Sequence, residues 1–115
     1  MYLSLKILQM PDHKLILKDL KLSLETKYPG ALYNVILFGS QINENAKEYS
    51  DYDILILLNK DYSRKDEEMI LDICYDIDLK YNILIDAHLL STRELTTGRG
   101  KQPIFINALK NGLYA

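Results

Sequence analysis

The segments Val35-Ile-Leu-Phe-Gly-Ser40 and Ser50-Asp-Tyr-Asp53, the second of which continues as an apolar run to Leu58, decide the fold of this chain. Both apolar runs are rich in residues that favour extended structure, so each predicts a strand of the core. The glycine of the first segment ends its strand, and the serine after it is a suitable N-cap for a short helix through about Lys47. The sequence therefore places a Gly-Ser turn after one strand and two carboxylates at the start of the next.

Periodic apolar residues predict the other elements around this core. A helical stripe begins after Asp12 and ends near Pro29-Gly30, and a second helical stripe follows the capping residue Ser63. An alternating segment from Asn82 to Leu90 predicts a third strand, and a last short helix ends at Asn111-Gly112. This order indicates an α/β (α+β) fold, with a small mixed sheet flanked by helices, in a single domain of residues 1–115.

Composition narrows the class of protein. The chain has 115 residues, a formal net charge of −2 and one cysteine, Cys74. No apolar run is long enough to span a membrane, and residues Met1 to Met10 lack the layout of a signal peptide. These features predict a cytoplasmic protein without an internal disulfide. Since there is no long basic run, we expect a small charged ligand or a protein partner rather than a nucleic-acid backbone.

Two carboxylates at the start of the second strand predict a metal site. Asp51 and Asp53 are two residues apart, and alternate side chains of an extended segment point to the same face. A divalent cation such as Mg²⁺, which prefers carboxylate oxygens, would relieve their mutual repulsion. Asp86, in the middle of the third strand, would complete a three-carboxylate cluster able to hold two metals, or to take a proton from an attacking hydroxyl.

The Gly39-Ser40 turn predicts a phosphate site beside these acids. A helix N-terminus exposes unpaired N–H groups, glycine allows close approach, and serine adds a hydroxyl donor. Each signal alone is common, because Gly-Ser is a frequent turn and Asp-x-Asp is often a solvated turn. Asp76 and Asp78 have the same spacing, and we assign them to a helix end, where residues two apart do not share a face. The segment from Cys74 to Lys80 also alternates enough to be extended.

The two histidines and a polar segment have weaker assignments. His13 and His88 lack partners at metal-ligand spacing, so we interpret both as structural or surface positions. His88 lies two residues beyond Asp86 on the same strand face, and it could therefore line the site. The segment from Ser91 to Lys101 is predicted to be a polar surface loop.

At these residues the chain resembles the minimal nucleotidyltransferases (MNT) of the polymerase-beta-like nucleotidyltransferase superfamily. Their signature is an apolar strand, Gly-Ser, roughly ten residues, and then Asp-x-Asp with apolar neighbours. In this chain the signature is Leu37-Phe-Gly-Ser40 followed by Ser50-Asp-Tyr-Asp-Ile-Leu55. A later strand of the family supplies a third acid, here in Ile85-Asp86. The family tends to end with a helix and a Gly-apolar-Tyr segment, which Leu109-Lys-Asn-Gly-Leu-Tyr114 is similar to.

The resemblance implies a nucleotidyltransferase fold and transfer of a nucleoside monophosphate, AMP from ATP, to a hydroxyl with release of pyrophosphate. Asp51, Asp53 and Asp86 would be the catalytic acids and the ligands of two Mg²⁺ ions, and Asp86 would also help to deprotonate the acceptor. Gly39 and Ser40 would hold the outgoing phosphates. Chains of this size resemble the antitoxin half of HEPN/MNT toxin–antitoxin pairs. This implies an all-helical HEPN toxin as partner, neutralised by binding and by AMP transfer to one of its tyrosines.

The stretch after the Gly-Ser turn departs from the family pattern. Many relatives carry arginines there, whereas this chain has Gln41-Ile-Asn-Glu-Asn45. Lys47 and Arg99 are the basic residues that could compensate. Two alternatives therefore remain open. One is a catalytically weak binding module of the same fold that blocks a helical partner by contact alone. The other is a small enzyme that adenylylates a metabolite or antibiotic, although the chain has little room for a domain that binds such an acceptor.

Overall fold

The computed structural model describes residues 12–42 and 51–115, apart from the side chains of Ser40 and Ile42. The described helices are α1 (His13–Lys27), α2 (Arg64–Tyr81) and α3 (Pro103–Asn111), and the strands are β1 (Leu32–Phe38), β2 (Tyr52–Leu58), β3 (Ile85–Ser91) and β4 (Leu113–Tyr114). The strands form one sheet in the order β3-β2-β1-β4. β1 is antiparallel to both of its neighbours, whereas β2 and β3 are parallel. The mixed sheet with flanking helices confirms the predicted fold class.

Side-chain caps determine where the first two helices begin. The Asp12 carboxylate accepts hydrogen bonds from the backbone N–H groups of Lys14 and Leu15, at 2.9 and 3.3 Å. Ser63 and Asp66 form a reciprocal capping box at the start of α2. Both caps satisfy N–H groups that have no partner within the helix, and they confirm the predicted helix starts.

The sheet separates two apolar cores. On one face, α1 and α2 pack against alternate residues of the central strands, including Val35 and Ile54. On the other face, α3 packs through Phe105 and Ala108 against residues such as Leu55. Because β1 and β2 are buried on both faces, they read as continuous apolar runs rather than as alternating ones.

A last strand was not predicted from the sequence. Leu113 pairs with Leu37 and Tyr114 with Ile36, so β4 extends the sheet at the β1 edge. Gly112 makes this return possible, because a Cβ at that position would overlap the side chain of Ile36. The two-residue strand is too short for periodicity to reveal it.

The third strand begins later than predicted, at Ile85 rather than at Asn82. Asn82 adopts a left-handed conformation (φ 54°) that ends α2, and the N–H of Ile83 bonds to the carbonyl of Asp78 at 3.1 Å. The Asp78 carboxylate then accepts the N–H of Ile85 at 2.9 Å. Asp76 and Asp78 both lie in α2, which confirms that their segment is helical and not extended.

Two 3₁₀ helices replace segments for which other structure was predicted. Thr92–Thr96 is a 3₁₀ helix within the predicted polar loop, where Glu94 accepts a hydrogen bond from the N–H of Ser91 at 3.1 Å. Gly39–Ile42 is a 3₁₀ helix after β1, and the remainder of the short helix predicted through about Lys47 lies outside the described residues. None of the helices in the described ranges is long and apolar enough to cross a membrane.

Candidate active site

The register of the sheet brings polar side chains together at one corner of the sheet, where β2 and β3 begin and β1 ends. Asp53, near the start of β2, is the direct partner of Asp86 in β3 and of Phe38 in β1. Residues paired in register point to the same face, so the two carboxylates project side by side. His88 is paired with Leu55 and lies on this face, which α3 covers further along the sheet.

These three polar side chains converge on one point. Asp53, Asp86 and His88 each offer a ligand atom, and the three atoms lie within 4.8 Å of one another. Nε2 of His88 is 3.4 Å from Oδ2 of Asp86 and 3.8 Å from Oδ1 of Asp53. Among the described residues, this buried nitrogen has no hydrogen-bond partner. Two carboxylates and an imidazole in this arrangement fit a divalent cation, which would give the nitrogen and the carboxylates a shared partner.

Gly39 forms one wall of the corner. Its φ of +79° lies in the left-handed region, which glycine adopts without a Cβ penalty. A Cβ at this position would overlap Oδ2 of Asp53 and lie 3.2 Å from its Cγ. The close neighbour that requires glycine here is therefore the Asp53 carboxylate, in addition to the phosphate that the sequence predicts.

The imidazole of His88 is held by the end of β1. Its ring centroid lies 5.5 Å from that of Phe38, with the planes tilted by 54°, and its side chain is 22% exposed. The sequence left two placements open for His88, and the structure puts it in the site. The available signal was its two-residue spacing from Asp86, which is weak because alternate residues share a face in every strand.

Burial and neighbouring charge act together on Asp53. Its partial burial raises the pKa of the Asp53 carboxyl above its ordinary value, and the negative charge of Asp86 raises this pKa further. The nearby His88 opposes these effects. The protein therefore holds a carboxylate where negative charge is unfavourable, and a bound cation would remove that cost.

Two of the predicted site residues, Asp51 and Ser40, are not assigned to this group by the structure. Asp51 immediately precedes β2 and is exposed, and its charge also contributes to the raised pKa of Asp53. Within the described residues it is not a member of the group formed by Asp53, Asp86 and His88. The side chain of Ser40 is outside the described part of the chain. The roles of Asp51 and Ser40 as ligands of metal and phosphate stay predictions.

Arg99, which could compensate for the missing arginines, is engaged elsewhere. Its Nε lies 3.2 Å from Oε2 of Glu94, and its Nη2 donates to the carbonyl of Leu89 at 3.0 Å. The guanidinium also lies over the ring of Phe105, 5.2 Å from the centroid. These contacts hold Arg99 against β3, the 3₁₀ helix that follows it and α3. Lys47 is outside the described residues.

Comparison with known proteins assigns the chain that carries this site to a family. Residues 17–108, which extend from α1 into α3, match the model of the nucleotidyltransferase domain. The chain belongs to the nucleotidyltransferase domain family. The resemblance noted in the sequence is thereby confirmed, and the paired acids at the starts of β2 and β3 lie within the matched part of this nucleotidyltransferase.

Two curated relatives come from Methanocaldococcus jannaschii, and each is named as a putative protein adenylyltransferase. The first is 32% identical over 103 residues, which cover 90% of this chain and 96% of the relative. The second is 39% identical over 70 residues, which cover 61% of this chain and 71% of the relative. The similarity to the first relative thus extends over most of both chains and supports nucleotidyl transfer as the activity of this nucleotidyltransferase.

Proposed function

We propose that this nucleotidyltransferase transfers AMP from ATP to a tyrosine hydroxyl of a helical HEPN-type toxin and so acts as its antitoxin. The observation that carries the proposal is the convergence of Asp53 and Asp86 beside Gly39, where a bound cation would relieve the cost of a partly buried carboxylate next to a second one. The names of the two relatives support a protein as the acceptor of AMP. The toxin partner is inferred from the resemblance to the MNT half of HEPN/MNT pairs.

The reaction requires few groups of the protein. The acceptor oxygen attacks the α-phosphorus of ATP, the bond to the β-phosphate oxygen breaks, and pyrophosphate leaves. Divalent cations, with two Mg²⁺ ions as our proposal, would supply charge neutralisation along the triphosphate when bound. The chain itself contributes positioning, because Asp51, Asp53 and Asp86 would hold these ions and Gly39 with Ser40 would hold the outgoing phosphates.

The two paired acids differ in exposure, and this supports a division of roles. The Asp86 side chain is 54% exposed, whereas that of Asp53 is 29% exposed. Asp53 is packed against the glycine turn and is suited to fixing the position of a metal. Asp86 is the more accessible of the two to a hydroxyl that enters from solvent, and this supports it as the acceptor of the proton of that hydroxyl.

The experiment follows AMP from ATP labelled at its α-phosphate to the co-purified partner. We expect the double variant Asp51→Asn, Asp53→Asn to abolish labelling, since it removes two of the three charges that would hold the metal ions. The matched control is Asp72→Asn, Asp76→Asn, which makes the same charge change at exposed positions on α2, across the sheet from the site. Labelling by the double site variant that equals labelling by the parent would overturn the assignment, and mass spectrometry of the partner would identify the modified residue.

A binding module without turnover is the second candidate. In the described ranges, no lysine or arginine lies within ion-pair distance of Asp53 or Asp86, and Arg99 is held by Glu94. A site with so little positive charge would bind a triphosphate weakly without metal. This candidate predicts that the complex with the helical partner forms equally well in the double site variant, while no nucleotide-dependent change in mass occurs in either protein.

A further inference from the structure

One polar atom of the site has no explanation within the protein. Nε2 of His88 is buried, and within the described residues it has no hydrogen-bond partner. A buried nitrogen without a partner costs free energy, because it has lost its bonds to water. The position of the His88 ring is fixed by its surroundings, because His88 lies within β3 and its ring packs against that of Phe38.

The nearest oxygens do not relieve this cost by hydrogen bonding. Nε2 lies 3.4 Å from Oδ2 of Asp86 and 3.8 Å from Oδ1 of Asp53, and neither contact makes a hydrogen bond. The nitrogen is thus near both carboxylates. Since the nitrogen has no hydrogen-bond partner, a ligand bound between all three side chains would satisfy it.

The separations suit a metal ion as that partner. Donors bound to one ion at about 2.1 Å lie roughly 3.0–3.4 Å apart in octahedral or tetrahedral geometry. The 3.4 Å separation of Nε2 from Asp86 falls in this interval, and the 3.8 Å separation from Asp53 is only slightly longer. All three donor atoms lie within 4.8 Å of one another, and the Asp86 side chain is 54% exposed, so we expect its carboxylate to adjust to a bound ion.

We propose that His88 is a protein ligand of the metal at this site, and that its nitrogen makes the site bind Mn²⁺ more tightly than Mg²⁺. The reason is the chemistry of the donors. Mg²⁺ prefers an all-oxygen shell and releases its water reluctantly, whereas transition-metal dications accept an imidazole nitrogen readily. The inference rests on the proposed function, since it assigns a metal preference to the same site.

The first test measures metal binding alone, without nucleotide or partner. Mn²⁺ is titrated into the full chain and followed by electron paramagnetic resonance, and the bound ion is then displaced with Mg²⁺. We expect spin-echo modulation from a coordinated ¹⁴N nucleus and an excess of Mg²⁺ of roughly tenfold or more for half displacement. Absence of nitrogen modulation in the bound Mn²⁺ signal would overturn the proposal without the use of any variant.

Variants assign the nitrogen to His88. His88→Phe keeps a ring against Phe38 and removes both nitrogens, and His88→Asn keeps a polar group without an imidazole. In both we expect loss of the ¹⁴N modulation and a fall in Mn²⁺ affinity of roughly tenfold or more, with a much smaller change for Mg²⁺. The control His13→Phe alters the other histidine, which makes an edge contact with Tyr52 at 5.3 Å, and it should leave both signals unchanged. Modulation that persists in the two His88 variants refutes the assignment.

The outcome is separable from that of the proposed function. A chain that shows nitrogen-coordinated Mn²⁺ but labels no partner keeps His88 as a ligand and refutes AMP transfer. A chain that labels its partner, with the same metal preference in the parent and in His88→Phe, keeps AMP transfer and refutes His88 as a ligand.

Discussion

Substitution of Gly39 by alanine tests how the glycine turn supports the site. Two glycines of the described chain have nearly the same left-handed backbone, Gly30 at φ +76° and Gly39 at φ +79°. A Cβ at Gly30 would meet nothing within 4 Å, whereas a Cβ at Gly39 would overlap Oδ2 of Asp53. The pair of variants Gly30→Ala and Gly39→Ala therefore shares the backbone strain and differs in the displacement of one carboxylate.

The expected magnitudes follow from these two contributions. A non-glycine residue in the left-handed region costs about 1–2 kcal/mol. The reduced entropy of the unfolded alanine chain returns about 0.4–1 kcal/mol. Each variant should therefore lose on the order of 1 kcal/mol of unfolding free energy. The Asp53 side chain is partly exposed and can rotate away from the new methyl group. The unfolding free energies of Gly39→Ala and Gly30→Ala should therefore agree within about 1 kcal/mol, while Gly39→Ala alone displaces the carboxylate that we propose as a metal ligand.

The assay combines urea unfolding with Mn²⁺ binding and AMP transfer. We expect Gly30→Ala to retain both binding and transfer, and we expect Gly39→Ala to lose Mn²⁺ affinity by at least roughly tenfold, as changes around metal ligands commonly do. If Gly39→Ala binds Mn²⁺ and transfers AMP like Gly30→Ala, then the packing of Asp53 against the turn does not position the site, and the reasoning is refuted.

Two further predictions concern pH. The raised pKa of Asp53 means that its favourable contribution to stability is present below its unfolded pKa, near roughly pH 4, and is lost as the pH rises through the folded value. Without metal, Asp53→Asn should therefore be more stable than the parent at pH 7, and this difference should be absent at about pH 3. Urea unfolding measures both, and an equal difference in unfolding free energy at the two pH values would contradict the prediction. Asp19 has the opposite sign, because hydrogen bonds from Lys80 and then Tyr81 lower its pKa. Its contribution is present above the unfolded pKa and disappears as the pH falls through the folded value, so Asp19→Asn should be less stable than the parent at pH 7 and equal to it in strong acid.

Much of the fold could be predicted from local patterns. The two core strands, the capped starts of α1 and α2, and the helical state of Asp76 and Asp78 all follow from apolar periodicity and capping chemistry, which act between residues close in the chain. β4 escaped prediction because a two-residue strand has no periodicity, and it exists only where β1 offers an unpaired edge. The late start of the third strand escaped prediction because Asn82 has a left-handed conformation that the sequence pattern alone does not reveal.

The sequence by itself identified Gly39, Asp53 and Asp86 as candidate site residues, since each lies in or next to an apolar run whose residues favour extended structure. The tertiary structure alone decided that His88 joins them and that Arg99 does not. The register between parallel β2 and β3 determines which side chains of the two strands are neighbours. The Arg99 guanidinium forms an ion pair with Glu94 in the segment after β3. The pairing of β2 with β3 joins segments far apart in the chain, and the Arg99–Glu94 contact depends on how the segment after β3 turns back, so neither follows from local periodicity.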